Sequence, residues 1–485
     1  MSPLPLRTLA FAIAASMTAA ASAASTTSLT LYRSDDAALF SANDDGGVQA
    51  GYAVAREPRE LQLKGGMQDI SLGGLPRYLD PEAMALSVEG DAARVVSQRL
   101  LLAQGPNAAL GSLVGQPVEV LASSGQTLAS GTLLRAGEGL LVQDASGRTS
   151  LIREFASVRA QGTFQTGSSL QLRVEAKRAG NAQATLSYTT AGLGWRSAYV
   201  GTLAPGDGCS MQFEARASIA NRSGRDWNGV KLTLIAGEPQ IAKPTSPRGA
   251  PAPMMYAARA KADVALPEQS TLADYRSYTL PSPVDLPDGS VSQVPLYESR
   301  SLECKRTMLY EYGGAWTSPQ PILQRDYGTN YGNTIASILQ FRAFDSLPAG
   351  YLRVFTSDRS GTPQFIGEDR INDTPKGDEV RVVLGTAFDL RGERERTAFS
   401  VDKAGHTMDE AFRITLTNAS DKARVVTVRE HPSRWRQWKL VSSSGKPSQQ
   451  TTDTLEFQVT VPAGGKATLD YAVRYQWTDE DHPQG

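Results

Sequence analysis

The chain has little of what most enzyme sites are built from: three histidines, His406, His431 and His482, and two cysteines in 485 residues. No HExxH, CxxC, GxSxG, Walker-type or GxGxxG run occurs, so the usual signatures of zinc protease, thiol redox, serine hydrolase, P-loop and dinucleotide chemistry are missing. No cofactor is implied. After residue 23 no stretch approaches the roughly 18 continuous apolar residues that a membrane-spanning helix needs, so no integral membrane segment is expected there. Neither charge is in excess, and 49 basic against 50 acidic residues leave no footprint for nucleic acid. Sustained heptads are absent too, which excludes a long coiled coil.

What is present in quantity is turn-forming residues, Gly 44 and Pro 27, between short alternating apolar runs. That pattern predicts an all-β, multi-domain chain of antiparallel β-sandwiches. The first 23 residues match a cleavable signal peptide, with Arg7 as the basic n-region, Leu9 to Met17 as the apolar segment and Ala21-Ser22-Ala23 as the cleavage site. No cysteine follows that site, so a lipid anchor is not expected and the mature protein is expected to be periplasmic or secreted. In that oxidising setting Cys209 and Cys304 are a candidate disulfide, with two buried thiols as the alternative.

Along the chain, 24–105 reads as an N-terminal β region. It contains the turn-rich Asn43-Asp44-Asp45-Gly46-Gly47, a solvated turn rather than a metal site, and a helical stretch at Leu79 to Leu86 begun by Asp80 and Pro81. Residues 106–160 hold five short strands with Ser-Gly and Gly-Glu-Gly turns, the pattern of a small SH3-like barrel. Residues 161–240 alternate cleanly, with Met211, Phe213, Ala215, Ala217 and Ile219 facing one way. Trp195, Tyr199 and Trp227 there are read as core rings rather than a sugar platform. An Ala/Pro-rich linker is expected over 241–270, with Met254-Met255-Tyr256 as the alternative of a docking segment. A central β region covers 271–394, and 395–485 reads as an immunoglobulin-like C-terminal sandwich built from two hairpins. In these, Phe412, Ile414 and Leu416 lead into Val426 and Val428, and Leu455 to Val461 leads into Leu469 to Tyr475.

Three segments carry a family resemblance: YTTAGLGWRSAY, NRSGRDWNGVKLTLIAGEP and LPAGYLRVFTSDRSGTPQFIGEDRINDTPKGDEVRVVLGTAFDLRGERE. Together, over about Leu170 to Trp477, they resemble the bacterial domain of unknown function 4139 (DUF4139), whose longer members are called mucoidy-inhibitor-like proteins. The resemblance implies an exported β-sandwich and supplies no catalytic residues or cofactor.

Two groups of residues are candidate sites. Tyr310, Tyr312, Trp316, Tyr327 and Tyr331 form the densest aromatic cluster and suggest a carbohydrate-contacting surface. Glu368 and Asp369, in an acidic series with Asp358, Asp373 and Asp378, suggest paired carboxylates or a cation site. The interleaved Arg359, Arg370 and Lys376 favour ordinary ion pairs instead. Ser443 and Lys446 match Ser-x-x-Lys by accident in a polar turn, and Asp479 to His482 reads as a solvated tail rather than a cation site. The expected function is a non-enzymatic envelope protein that binds a protein or polysaccharide, with a hydrolase acting through Glu368 and Asp369 as the alternative.

Overall fold

The structure is a computed structural model that describes residues 26–42, 48–102, 110–111, 113–161, 167–206, 208–237, 266–272, 275–314, 316–328, 334–357 and 361–485. The signal segment, Asp44, Asp45, Met254-Met255-Tyr256, Tyr331 and Asp358 lie outside the described residues. Among the described residues almost all regular structure is strand, and no helix is long and apolar enough to cross a membrane.

The first core sits between two layers. One is an eight-stranded sheet ordered Glu268–Leu272, Tyr275–Thr279, Trp227–Ala236, Ser28–Tyr32, Ala53–Leu63, Gly180–Thr190 and Ala85–Val88, with Val284–Leu286 beside Trp227–Ala236. The other begins at Pro363–Ile371 and runs through Gly350–Ser357, Leu193–Leu203 and Ser210–Asn221 into Arg300–Tyr312. Period-two alternation points Leu29, Leu31, Leu232 and Leu234 inward from one layer and Tyr199, Phe213, Leu352 and Val354 from the other. Trp195, Tyr199 and Trp227 are fully buried as expected of core rings. The Trp195 indole donates to the Ile235 carbonyl at 3.0 Å, so burial leaves no orphan donor. Gly192, at φ +80°, makes the turn before Leu193, and a Cβ there would lie 2.7 Å from the Arg222 carbonyl.

Cys209 and Cys304 are joined by a disulfide, Cα to Cα 5.0 Å, where the Cys304 amide also donates to the Cys209 carbonyl. Asp80 caps Pro81–Ala83, but the expected helical stretch is one 3-10 turn. Ala85–Val88 instead pairs with Gly180–Thr190 as a sheet edge.

Strands Ala93–Leu101 and Ser168–Ala176 pair directly, so the small unit between them is an insertion. Its five strands follow the order Ser157–Ala160, Pro117–Leu121, Thr127–Ala136, Leu140–Gln143 and Thr149–Ile152 over a core of Val118, Val120, Leu133, Leu140 and Val142. The last strand returns beside the first, as the expected barrel requires, but the sheet stays open. Its two outer strands, of four residues each, do not pair with one another.

The second core is a sandwich whose layers are Glu379–Asp402, Thr407–Asn418, Lys466–Gln476 and Trp438–Ser443 on one side and Arg300–Tyr312, Arg424–Glu430, Leu455–Val461 and Gln449–Gln450 on the other. The strands fall where alternation places them, but the two expected hairpins do not form. Thr407–Asn418 pairs with Lys466–Gln476, and Arg424–Glu430 pairs with Leu455–Val461, so each polar turn is an arch from one layer to the other. A buried asparagine fixes the first arch. Asn418 Nδ2 donates to the carbonyls of Lys422 and Pro462, while its Oδ1 accepts from the Ser420 amide and hydroxyl. Asn221 does the same work at the arch of the first sandwich, donating to Arg225 and Leu286 and accepting from Ser223. Asn-x-Ser-x-(Arg/Lys) is thus a repeated corner, one in each sandwich.

Candidate functional site

The four described rings of the aromatic cluster do not all meet on one surface. Tyr310 lies in the second core, with its ring against Gly392, where a Cβ would be 2.4 Å away. Tyr312 and Tyr327 are half-buried, and guanidiniums lie over their rings: Arg394 is 3.8 Å from the Tyr312 centroid and Arg434 5.3 Å from that of Tyr327. Those faces are covered against a sugar ring. Trp316 is 60% exposed and stands apart. Beneath the tyrosines runs a buried charge network in which the Arg394 Nε donates to both oxygens of Glu430, at 3.0 and 3.2 Å, and Nη2 to the Tyr471 hydroxyl at 3.1 Å. Burial pulls the Arg394 guanidinium down, but the Glu430 carboxylate and Tyr471 hydroxyl more than reverse this and leave it raised. The adjoining cavity of about 20 Å³ has room for one water and no larger ligand.

Glu368 and Asp369 are neighbours on Pro363–Ile371, so their side chains leave opposite faces of the strand. Glu368 is ion-paired with Arg353, and Asp369 accepts from the amides of Arg370 at 2.8 Å and Val383 at 2.7 Å. The second of these bonds ties that edge strand to Glu379–Asp402, which approaches so closely that a Cβ on Gly367 would sit 2.3 Å from the Leu384 carbonyl. These carboxylates point to opposite faces of the sheet and are used in holding it. Among the described residues no group of three His, Cys, Asp or Glu side chains is placed to hold a metal ion.

A site that the sequence reading did not single out lies where the two cores meet. Three strands cross this seam, and each interrupts its apolar alternation there. On Arg300–Tyr312 the inward series Leu302, Cys304, Met308, Tyr310 is broken by Arg306. On Thr334–Arg342 the series Ile335, Leu339 is broken by Ser337. On Glu379–Asp402 the buried series stops at Leu384 and resumes at Leu390. Between them the strand bulges: Thr334 pairs with Arg391 but Ala336 with Thr386, so one residue on one strand, Ile335, lies opposite four on the other. Arg391 Nη1 holds the bulge by donating to the carbonyls of Ala387, Phe388 and Leu390 at 2.8 to 3.1 Å. The Phe388 ring projects from it, 88% exposed.

The bulge opens a cleft of about 270 Å³, lined among others by Arg306, Met308, Ser337, Leu384, Phe388 and Arg424. Met308 and Val426 pair in parallel, so Arg306 and Arg424, each two residues earlier, fall side by side on the same face. Neither guanidinium has an ion pair or hydrogen bond among the described residues. Partial burial lowers the Arg306 guanidinium, and the like charge of Arg424 lowers it further. The Ser337 hydroxyl, on a residue 9% exposed, has no partner either. The cleft therefore holds two guanidiniums against one carboxylate, Asp389, which is ion-paired with neither, and an unused hydroxyl beside apolar walls.

The sequence matches the family described as domain of unknown function (DUF4139) over residues 184–479. The chain belongs to the DUF4139 family. No curated protein matches it. The DUF4139 span contains every residue named for the seam cleft and both repeated corners, but not strands Ser28–Tyr32 and Ala53–Leu63, which complete the first sandwich. The inserted small sheet also lies outside the DUF4139 span. Two signals in the sequence marked the cleft: a lone arginine in place of an apolar residue at position 306, and a Gly-Thr-Ala-Phe break in the alternation before Leu390.

Proposed function

We propose that this DUF4139 chain is an exported envelope protein that binds a partner, a protein or a glycan, in the seam cleft without acting on it chemically. Export is supported by the basic, apolar and small-residue order of the first 23 residues, and the Cys209–Cys304 disulfide suits an oxidising compartment. The observation that carries the binding reading is that the unpaired guanidiniums of Arg306 and Arg424 line one cleft with Ser337, whose hydroxyl has no partner. Two like charges held together are unfavourable for the empty protein, and an anionic ligand relieves them. No geometry favours the hydrolase alternative at Glu368 and Asp369, since both are held in structural bonds.

The test is thermal unfolding of the purified chain with peptide, protein and glycan pools from an envelope extract. At least one pool is expected to raise the melting temperature by mass action, and the double variant R306Q/R424Q to lose that rise. If no pool shifts the melting temperature, or if the double variant responds as the parent does, the binding reading fails.

A further inference from the structure

Resting on the cleft as a binding site, we infer that its ligand is the free carboxyl end of a peptide whose last residue is apolar. The charge sets the first half of this assignment. Arg306 and Arg424 sit side by side at the cleft, and the acid that lines it, Asp389, is ion-paired with neither. Two guanidiniums offer forked N–H donors that match a carboxylate, and such charge-assisted pairs are the strong ones.

The walls set the second half. Met308, Ile366, Leu384, Leu390 and the Phe388 ring are apolar. Of the hydroxyl groups at the cleft, that of Ser420 is already bonded to Asn418 and Lys422 and that of Thr386 belongs to an exposed residue, so the Ser337 hydroxyl is the buried one left without a partner. An acidic sugar would bring several hydroxyls into this space, and each one buried without a partner is costly. A terminal residue brings one carboxylate, one amide N–H and one side chain, which the arginines, Ser337 and the apolar wall can meet. The volume points the same way: about 270 Å³ is slightly below the usual range for small-molecule pockets, enough for a chain end and little more. Capture of a terminal carboxylate is a recurring mode of peptide recognition.

The experiment uses the full chain and fluorescein-labelled pentapeptides of four alanines and a terminal leucine, as free acid and as amide, with an oligouronate as the third probe. Fluorescence polarisation is expected to show saturable binding of the free acid and at least tenfold weaker binding of the amide. R306Q and R424Q are each expected to weaken the free acid at least tenfold, and S337A several-fold. Without ligand, R306Q and R424Q are expected to melt no lower than the parent, because each removes a repulsion; a lower melting temperature would make the arginine structural and overturn the assignment. Equal binding of acid and amide, or no binding of the free acid, overturns the peptide-end assignment. An oligouronate that binds tighter than the free acid, and loses binding in R306Q/R424Q, also overturns it while leaving the cleft itself as the binding site.

Discussion

Replacing Arg394 by methionine tests the charge network of the second core most directly. Arg394, Glu430 and Tyr471 are 7%, 1% and 3% exposed, and the guanidinium makes three hydrogen bonds to the other two while lying 3.6 Å from the Phe412 ring centroid. Methionine keeps much of the volume and removes every bond. Glu430 is then a buried carboxylate without its counter-charge, a situation that typically costs about 3–5 kcal/mol. At about 2–4 °C per kcal/mol for a unit of this size, the melting transition should fall by roughly 6–20 °C at pH 7.5. The deficit should shrink as the pH is lowered. Burial already raises the Glu430 carboxyl, and Arg394 opposes that rise. Without Arg394 the protonated form is favoured further in the folded state, so the penalty is present at high pH and fades as the group takes up its proton. Removing the whole network in R394M/E430L/Y471F should recover most of the loss, because an apolar replacement of a buried pair is often neutral or better. Urea unfolding followed by tryptophan fluorescence measures all three. A loss below about 1 kcal/mol in R394M, or a triple variant no better than the single, would refute the reasoning.

Two further predictions concern the disulfide and acid stability. The Cys209–Cys304 bond spans a sequence separation of 95, so on the loop-entropy account C304S should lose up to about 4–5 kcal/mol. Dithiothreitol should lower the melting temperature of the parent and leave that of C304S unchanged, and an equal effect on both would count against the bridge. For acid stability, Asp409 is held below its usual range by the Arg474 hydrogen bonds, and Glu311 is also lowered because His431 and Arg429 outweigh its partial burial. Carboxyls depressed by folding contribute stability that is complete above their unfolded values of about 4–4.5 and is lost as the pH falls through the folded ones. The urea midpoint should therefore drop below about pH 4, and D409N should flatten that slope; an unchanged slope would remove Asp409 from the account.

Much of the fold was legible because its signals are local. Alternation in Phe412, Ile414 and Leu416 fixed which face of that strand is buried, and Gly-, Pro- and Asn-rich turns fixed where strands end. The Asn221 and Asn418 corners were visible as turn residues. Their role in joining opposite layers was not, because the carbonyls they bond include those of Leu286 and Pro462, 65 and 44 residues further on. The candidate sites fared worse for the same reason. An aromatic-rich stretch looks alike in sequence whether its rings face solvent, as Trp316 does, or a guanidinium or the core, as Tyr312 and Tyr310 do.

By itself the sequence determined the class of the molecule: period-two apolar runs, frequent turn residues and the absence of long apolar or heptad segments leave an all-β chain as the arrangement that buries its apolar faces. The tertiary structure alone decided which strands pair and where one core gives way to the next. Alternation names the face of each residue but says nothing of its neighbour across the ladder, and a polar residue on an inward face acquires meaning only from what stands opposite. Arg306, Ser337, Phe388 and Arg424 are scattered over more than a hundred positions, and they meet because three strands cross the boundary between two cores at one level.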